Sequence, residues 1–388
     1  MNSREREQKY TLSTYDNIRF PMSLERAQGN YVYDDAGAEY LDLYGGHAVC
    51  LIGHSHPRWV EDMRRQLGEL VFYSNTVFCD LRGEAAELLV TKAYSSTAGA
   101  YFCGSGAEAN ETVLKIARKK TGRNLVISME KGFHGRTLGA LSVTGFPKMR
   151  DAFPVNVSES TRFVPFGDLE AIRAIPPEDV AAIILEPIQS VAGLYMAPPS
   201  YYRALREYAT DHGICLIFDE VQTGTGRTGE WWFGHHYDVE PDLVSTAKGV
   251  GGGFPVGVVL ANAECAESVK PGDQATTFGG GPLAMASIVS TLRILEEEGL
   301  VDRVATRSKA LIESLRALSG VQEVRGLGYL LGIQCERGAK ELQTRLMDER
   351  ILIGTSGDPN TVRLLPPLTV SDAEWDRFLD VFGRALEA

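Results

Sequence analysis

The chain has 388 residues, 44% of them hydrophobic and 23% charged, which suits a globular protein with a large core and room for two domains. Its formal net charge of -12 argues against nucleic acid and anionic membrane surfaces as partners, while leaving room for a locally basic pocket that takes a small anion. Residues 1–10 are charged and lack an apolar segment, and no apolar run reaches the length of a bilayer span. The six cysteines, Cys50, Cys79, Cys103, Cys215, Cys265 and Cys335, form no C-x-x-C pair. Small buried thiols in a reducing, cytoplasmic compartment are therefore expected.

Residues 31–43 alternate apolar and polar side chains around a turn at 34–37, which predicts a hairpin. A glycine-rich loop follows from Gly45 to Gly53. A helix then starts at Pro57, with Trp59, Val60, Met63 and Leu67 on one face. From about residue 85, strands alternate with helices. Strands are predicted at 100–103, 124–129, 180–185, 214–219, 243–247 and 255–260, and helices at 107–120 and 201–212. Such alternation predicts an α/β domain with a mostly parallel sheet. A long helix at 283–298 leads out of it. Helix 301–318, strands 321–326 and 329–334, helix 339–349, strand 362–365 and helix 372–386 then predict a smaller α+β domain. The hairpin has the choice of packing on either domain.

Two features carry the strongest chemical signal. Lys248 lies in Ser245-Thr246-Ala247-Lys248-Gly249, between an apolar approach and an apolar exit strand, where a surface lysine is not expected. Its small neighbours let a flat ring approach the amine, and a buried lysine amine can form a Schiff base with a carbonyl. Asp219 closes the very apolar run Ile217-Phe218-Asp219-Glu220 and needs a partner to stay ionised. A protonated heterocycle would serve, and Gln222 lies within reach of an oxygen on the same ring. A lysine and a carboxylate so placed meet the demands of pyridoxal phosphate (PLP).

Other motifs surround this pair. An apolar strand ends in Gly104-Ser105-Gly106 and a helix begins at once, which predicts either a phosphate site at the helix N-terminus or a plain helix cap. Phe133-His134-Gly135-Arg136-Thr137 follows a strand end, where an aromatic ring can stack on a flat ligand and an arginine can grip a carboxylate. Gly224-Thr225-Gly226-Arg227-Thr228-Gly229 matches G-x-G-x-x-G, but no helix follows it, so a dinucleotide site is not expected. No metal site is expected at His54/His56 or His235/His236, which lack ligand spacing.

Together these motifs resemble the class III (ω-amino acid) aminotransferases of the fold-type I PLP enzymes, and within them the acetylornithine/ornithine branch. The resemblance runs from Tyr40-Leu41-Asp42-Leu43 and Gly53-His54-Ser55-His56-Pro57 to Arg363-Leu364-Leu365-Pro366-Pro367-Leu368. It implies that Lys248 holds PLP and shuttles a proton, and that Asp219 pairs with the pyridinium nitrogen. Gln222 would contact the phenolic oxygen and Phe133 would stack on the ring. Ser105, Gly106 and Ala107 would bind the phosphate. Thr277 would reach the phosphate of a neighbouring subunit, which implies a homodimer with shared sites. The resemblance also implies a large PLP-binding domain, 46–284, and a small C-terminal domain, 285–388, with the N-terminal segment, 1–45, packing on the small domain. Arg136 would hold a distal carboxylate of the substrate, and Arg363 the carboxylate beside the reacting carbon of a 2-oxo acid. Ping-pong transfer between an amino donor and a 2-oxo acid follows from these roles. A racemase, mutase or decarboxylase on the same fold is the alternative, disfavoured by the intact motif around Arg136.

The sequence departs from that branch at two places. In Glu186-Pro187-Ile188-Gln189-Ser190-Val191-Ala192-Gly193, Val191 stands where the branch carries a glutamate that masks the second arginine. A valine cannot neutralise Arg363, so either donors with a carboxylate or another acceptor beside the amine gain, or another acid masks Arg363, or the donor is unusual; acetylornithine itself is not the expected donor. Gly281 stands where an asparagine is usual. The donor, the choice between 2-oxoglutarate and pyruvate, and any assembly beyond a dimer are not encoded in a form that can be read, although two arginines suit a dicarboxylic acceptor.

Overall fold

Strands apolar on both faces must be covered on both faces. Val180–Leu185, Cys215–Asp219 and Leu243–Ala247 are buried throughout and form the middle of a seven-stranded sheet. The computed structural model describes residues 3–15, 19–152 and 157–387, so the outermost ends of the segments drawn at 1–45 and 285–388 lie outside the described residues. The sheet runs in the order Thr97–Cys103, Gly257–Asn262, Leu243–Ala247, Cys215–Asp219, Val180–Leu185, Leu125–Met129, Thr161–Val164. Only Gly257–Asn262 is antiparallel to its neighbours. The helix Gly106–Thr121 covers one face, packing Ala109, Val113 and Ala117 with Ala182, Ile184 and Ile217. The helix Pro199–Asp211 covers the other, where Tyr202 and Leu205 meet Ile183, Leu185 and Phe218. Alternate residues of one strand thus feed two cores.

Because six strands share one direction, their carboxyl ends lie along one edge. The turns after Cys103, Met129, Leu185, Asp219 and Ala247 bring Ser105, Phe133, Glu186, Gln222 and Lys248 to that edge.

The predicted hairpin is Tyr31–Asp34 with Glu39–Asp42. Ile351–Leu352 adds to it in parallel, Ile351 against Leu41 and Leu352 against Asp42. One core joins Leu41 and Leu43 to Leu300, Val304, Leu331, Ile353 and Phe378, so the hairpin packs with the C-terminal region. That region has its own four-stranded antiparallel sheet, Val321–Leu327, Leu330–Cys335, Thr361–Leu364, Gly354–Thr355.

Several elements are not expected from the sequence, and three of them show why. Leu24–Gln28 is a nearly all-exposed edge strand with little apolar signal. In Asp80–Lys92 the apolar side chains are spread around the helix rather than set in one stripe. Thr161–Val164 is a short edge strand. Leu67, expected on the apolar face of its helix, is exposed, as are Leu70, Val71, Phe72, Phe78 and Phe278.

Gly257 pairs with Cys103 on one side and Ala247 on the other, beside the turns that carry Ser105 and Lys248. A Cβ there would run into the Ser105 carbonyl oxygen and lie 2.7 Å from Cys103 Sγ. We expect Gly257→Ala to lower the unfolding free energy by about 1–3 kcal/mol, the usual cost of overpacking. Denaturant titration checks this, and an unchanged midpoint would show that the two turns have room to part.

Candidate active site

Adjacent residues at a strand end face opposite sides, so Asp219 and Glu220 enter different surroundings. Asp219 is buried and turns toward the cavity at the carboxyl edge. Its Oδ2 accepts from Asn110 Nδ2 and His134 Nδ1, each at 2.8 Å, and its Oδ1 from Val221 N at 3.1 Å. A carboxylate only accepts, so the His134 hydrogen sits on Nδ1. Asn110 is fixed in turn, accepting from Ser245 Oγ at 2.6 Å and donating to the His134 carbonyl at 2.7 Å. Among the described residues no lysine or arginine forms an ion pair with Asp219.

Lys248 begins a short 3-10 turn in the left-handed region, φ 49°, directly after the strand Leu243–Ala247. A Cβ on the next residue, Gly249, would run into Leu51, so that glycine permits the turn. Burial pushes the Lys248 amine down to about 8; Asp219 and Glu186 oppose the shift, and Arg363 and Arg227 add to it. Glu186, also on the cavity wall, is pushed up to about 7 by burial and accepts from Phe133 N at 2.7 Å.

The turn after Cys103 realises the capping reading. Ser105 Oγ accepts from Glu108 N at 3.2 Å and donates to Glu108 Oε1 at 3.2 Å, while Glu108 Oε2 accepts from Gly104 N at 2.9 Å. The next amides, those of Gly106 and Ala107, open a 16-residue helix and have no carbonyl behind them within it. The cavity between this helix end and Lys248 has a volume of about 490 Å³. Ser105, Gly106, Ala107, Phe133, Arg136, Asp219, Gln222 and Lys248 all line it.

Two expected site residues do not. Arg363, buried in the strand Thr361–Leu364, connects to the cavity through Ser190, which bonds to Gln222. Thr277 lies apart, in a broad open depression with Asn75, Phe78, Arg82 and Thr276. Arg136 is exposed, its guanidinium 5.9 Å from the centre of the Phe133 ring, with no ion pair among the described residues. Gly281 is the N-cap of the helix Pro282–Glu297 and offers no side-chain cap, where an asparagine could supply one.

The sequence alone assigns no role to Asn110, Glu186 or Ser190. Asn110 carried a usable signal, because it is a polar residue on the helix face that otherwise packs on the sheet. Glu186 carried another, because it follows a wholly apolar strand as Asp219 ends one.

The family model for class III aminotransferases matches residues 13–386. An acetylornithine aminotransferase of Methanopyrus kandleri is 41% identical over 392 residues, covering 100% of both chains. An ornithine aminotransferase of Toxoplasma gondii superposes with a TM-score of 0.92 at 26% identity, covering 100% of this chain and 96% of that one. An acetylornithine aminotransferase of Elizabethkingia anophelis gives 0.86 at 27% identity, with 99% and 97% covered. The fold is therefore that of the fold-type I PLP enzymes. The chain belongs to the class III aminotransferases, PLP-dependent enzymes that move an amino group between an amino acid and a 2-oxo acid.

Glu220, on the opposite face from Asp219, has a structural setting. Tyr94 OH donates to its Oε1 at 2.6 Å, and Phe233 N and Thr223 Oγ1 donate to its Oε2 at 2.8 and 3.1 Å. The Tyr94 oxygen also accepts from Gly234 N at 3.0 Å. Burial still pushes Glu220 up to about 7. Above that pH the folded protein carries a buried anion that depends on these donors. Below it the folded protein keeps a proton that the unfolded chain, with its ordinary carboxyl, has already released. Tyr94→Phe should cost about 2 kcal/mol at pH 8 and less at pH 6, because only the charged carboxylate loses the full bond. Urea melts at the two pH values measure this; an equal loss at both would mean that the donor does not serve the charge.

Proposed function

We propose that Lys248 holds PLP as a Schiff base and that the cavity transfers an amino group from a donor with a distal carboxylate to a 2-oxo acid in two half-reactions. One observation carries this reading. The Lys248 amine, an Asp219 carboxylate without a cation, the Phe133 ring and the open amides of Gly106 and Ala107 line a single cavity. The donor set fits the cofactor. Asp219 is the anion that a protonated pyridine nitrogen requires, and Gln222 is an amide for the ring oxygen. Phe133 is a surface for stacking, and Ser105, Gly106 and Ala107 form a helix N-terminus for the phosphate. When bound, PLP supplies an electron sink beside the reacting carbon.

The protein's own groups do the rest. Lys248 Nζ, with its basicity lowered to about 8, is available as the base that moves a proton at the substrate carbon. Arg136 holds the distal carboxylate, and Arg363 holds the one beside the reacting carbon. The chain works as a homodimer in which Thr277 completes the neighbour's phosphate site. The exposed patch at Phe72, Phe78 and Phe278 beside Thr277 supports this assembly. Six unpaired thiols support a reducing, cytoplasmic compartment. The segments 1–45, 46–284 and 285–388 are read as structural units, and the pairing of Ile351–Leu352 with Glu39–Asp42 supports grouping the first with the last.

The protein with PLP should be yellow, lose that colour with a competent amine donor alone, and regain it with a 2-oxo acid. Lys248→Arg should abolish both the colour change and turnover. A wild-type protein that stays colourless with PLP would overturn the reading. A screen of donors in this one half-reaction identifies the substrate.

Among the described residues no carboxylate forms an ion pair with Arg363, whose Nε donates to the Thr355 carbonyl at 2.6 Å. Val191 only lends its carbonyl to Gly357 N, at 2.7 Å. Donors with a carboxylate beside the amine therefore meet an available guanidinium. Introducing an acid by Val191→Glu should move the ratio of α-amine to ω-amine turnover about tenfold toward ω-amines, the effect of about 1.4 kcal/mol. An unchanged ratio in the single-half-reaction assay rules this out.

A further inference from the structure

Ser190 stands between two residues with separate tasks. Its Oγ accepts from Arg363 Nη1 at 3.3 Å and donates to Gln222 Oε1 at 2.9 Å. A hydroxyl has one hydrogen, so the bond to the amide oxygen commits it and leaves its lone pairs for the guanidinium. Ser190 is 0% exposed, Arg363 5% and Gln222 8%, so water does not stand in for these bonds. The direction of the chain is then set: Arg363 donates to Ser190, and Ser190 donates to Gln222. With Oε1 engaged, the hydrogens on Nε2 are what Gln222 can offer to the cavity it lines. Bonds in such a series polarise one another. Among the described residues the hydrogen-bond acceptors of Arg363 are neutral, the Thr355 carbonyl and the Ser190 hydroxyl, which leaves its charge for a ligand.

We propose that Ser190 is a positioning residue, which sets the end of the Gln222 amide presented to the cofactor's ring oxygen and holds Arg363 in place for the carboxylate of the 2-oxo acid. This rests on the PLP reading of the cavity. Without the hydroxyl, the Gln222 amide is free to turn its oxygen toward the ring oxygen, and Arg363 loses one of two anchors. The first change disfavours the anionic form of that ring oxygen. The second weakens carboxylate binding.

The test compares the purified, PLP-loaded wild type with Ser190→Ala and Ser190→Thr. Two quantities are read: the pH midpoint of the bound cofactor's colour change, and the KM for the 2-oxo acid alongside kcat. Ser190→Ala should raise the midpoint by about one pH unit, the shift expected when a hydrogen bond to the charged form is lost. It should raise the KM about tenfold with a smaller change in kcat, as for one hydrogen bond to a charged group. Ser190→Thr keeps the hydroxyl and should return both quantities close to wild type. Should the alanine variant not fold, Ser190→Gly carries the same expectations. A midpoint and KM that both stay at wild-type values overturn the proposal, and so does a threonine variant as impaired as alanine. A wild type that never colours with PLP fails differently, because it removes the underlying reading before Ser190 is tested.

Discussion

A buried carboxylate without a cation is the constraint on which this site depends. Taking an ion out of water is costly, and hydrogen bonds return only part of that cost. Asp219 is given three donors, and the two side-chain donors are themselves held. Asn110 is oriented by Ser245 from the neighbouring strand, and the His134 backbone is tied to Thr144 Oγ1 at 3.1 Å. His134 Nε2 is buried and has no hydrogen-bond partner among the described residues. The helix Gly106–Thr121 therefore has two tasks. Its first turn lines the cavity, and one turn further Asn110 steadies the acid at the cavity's far wall.

The acidic pair at one strand end divides its labour through the pleat. Asp219 enters the cavity, while Glu220 binds Tyr94 and the amide of Phe233 on the other side and so fixes the aromatic loop around Trp232. The G-x-G-x-x-G stretch between them belongs to the same scaffold. Arg227 within it is fully buried, and its Nη1 donates to the carbonyls of Tyr329 and Pro366 in the C-terminal region. A motif that mimics a nucleotide loop is here a tie between distant parts of the chain.

The alternating strands and helices were legible because each strand is a continuous apolar run and each helix a stripe. Val180–Leu185 and Leu243–Ala247 were bounded to the residue. Lys248 and Asp219 stood out because charged residues are rare in such runs. What escaped was of two kinds. Edge elements such as Leu24–Gln28 have little buried surface and so no pattern. Bridging residues such as Ser190 and Asn110 act through partners 173 and 109 positions away, and local sequence carries no trace of that distance.

Arg363 is the counterpart of Asp219. Burial pulls its guanidinium down, with Tyr44 and Glu186 opposing, and its hydrogen-bond partners are neutral. Among the described residues Asp219 thus has no lysine or arginine in an ion pair and Arg363 no carboxylate, and of the two only Asp219 lines the cavity. The obvious economy would be to pair them with each other. Ser190 and Gln222 instead link Arg363 to the cavity wall through hydrogen bonds that carry no charge. Kept apart, each ion retains an attraction for a ligand of the opposite sign. On the function proposed above, a bound cofactor and its 2-oxo acid partner would supply the opposite charge that each of the two ions lacks.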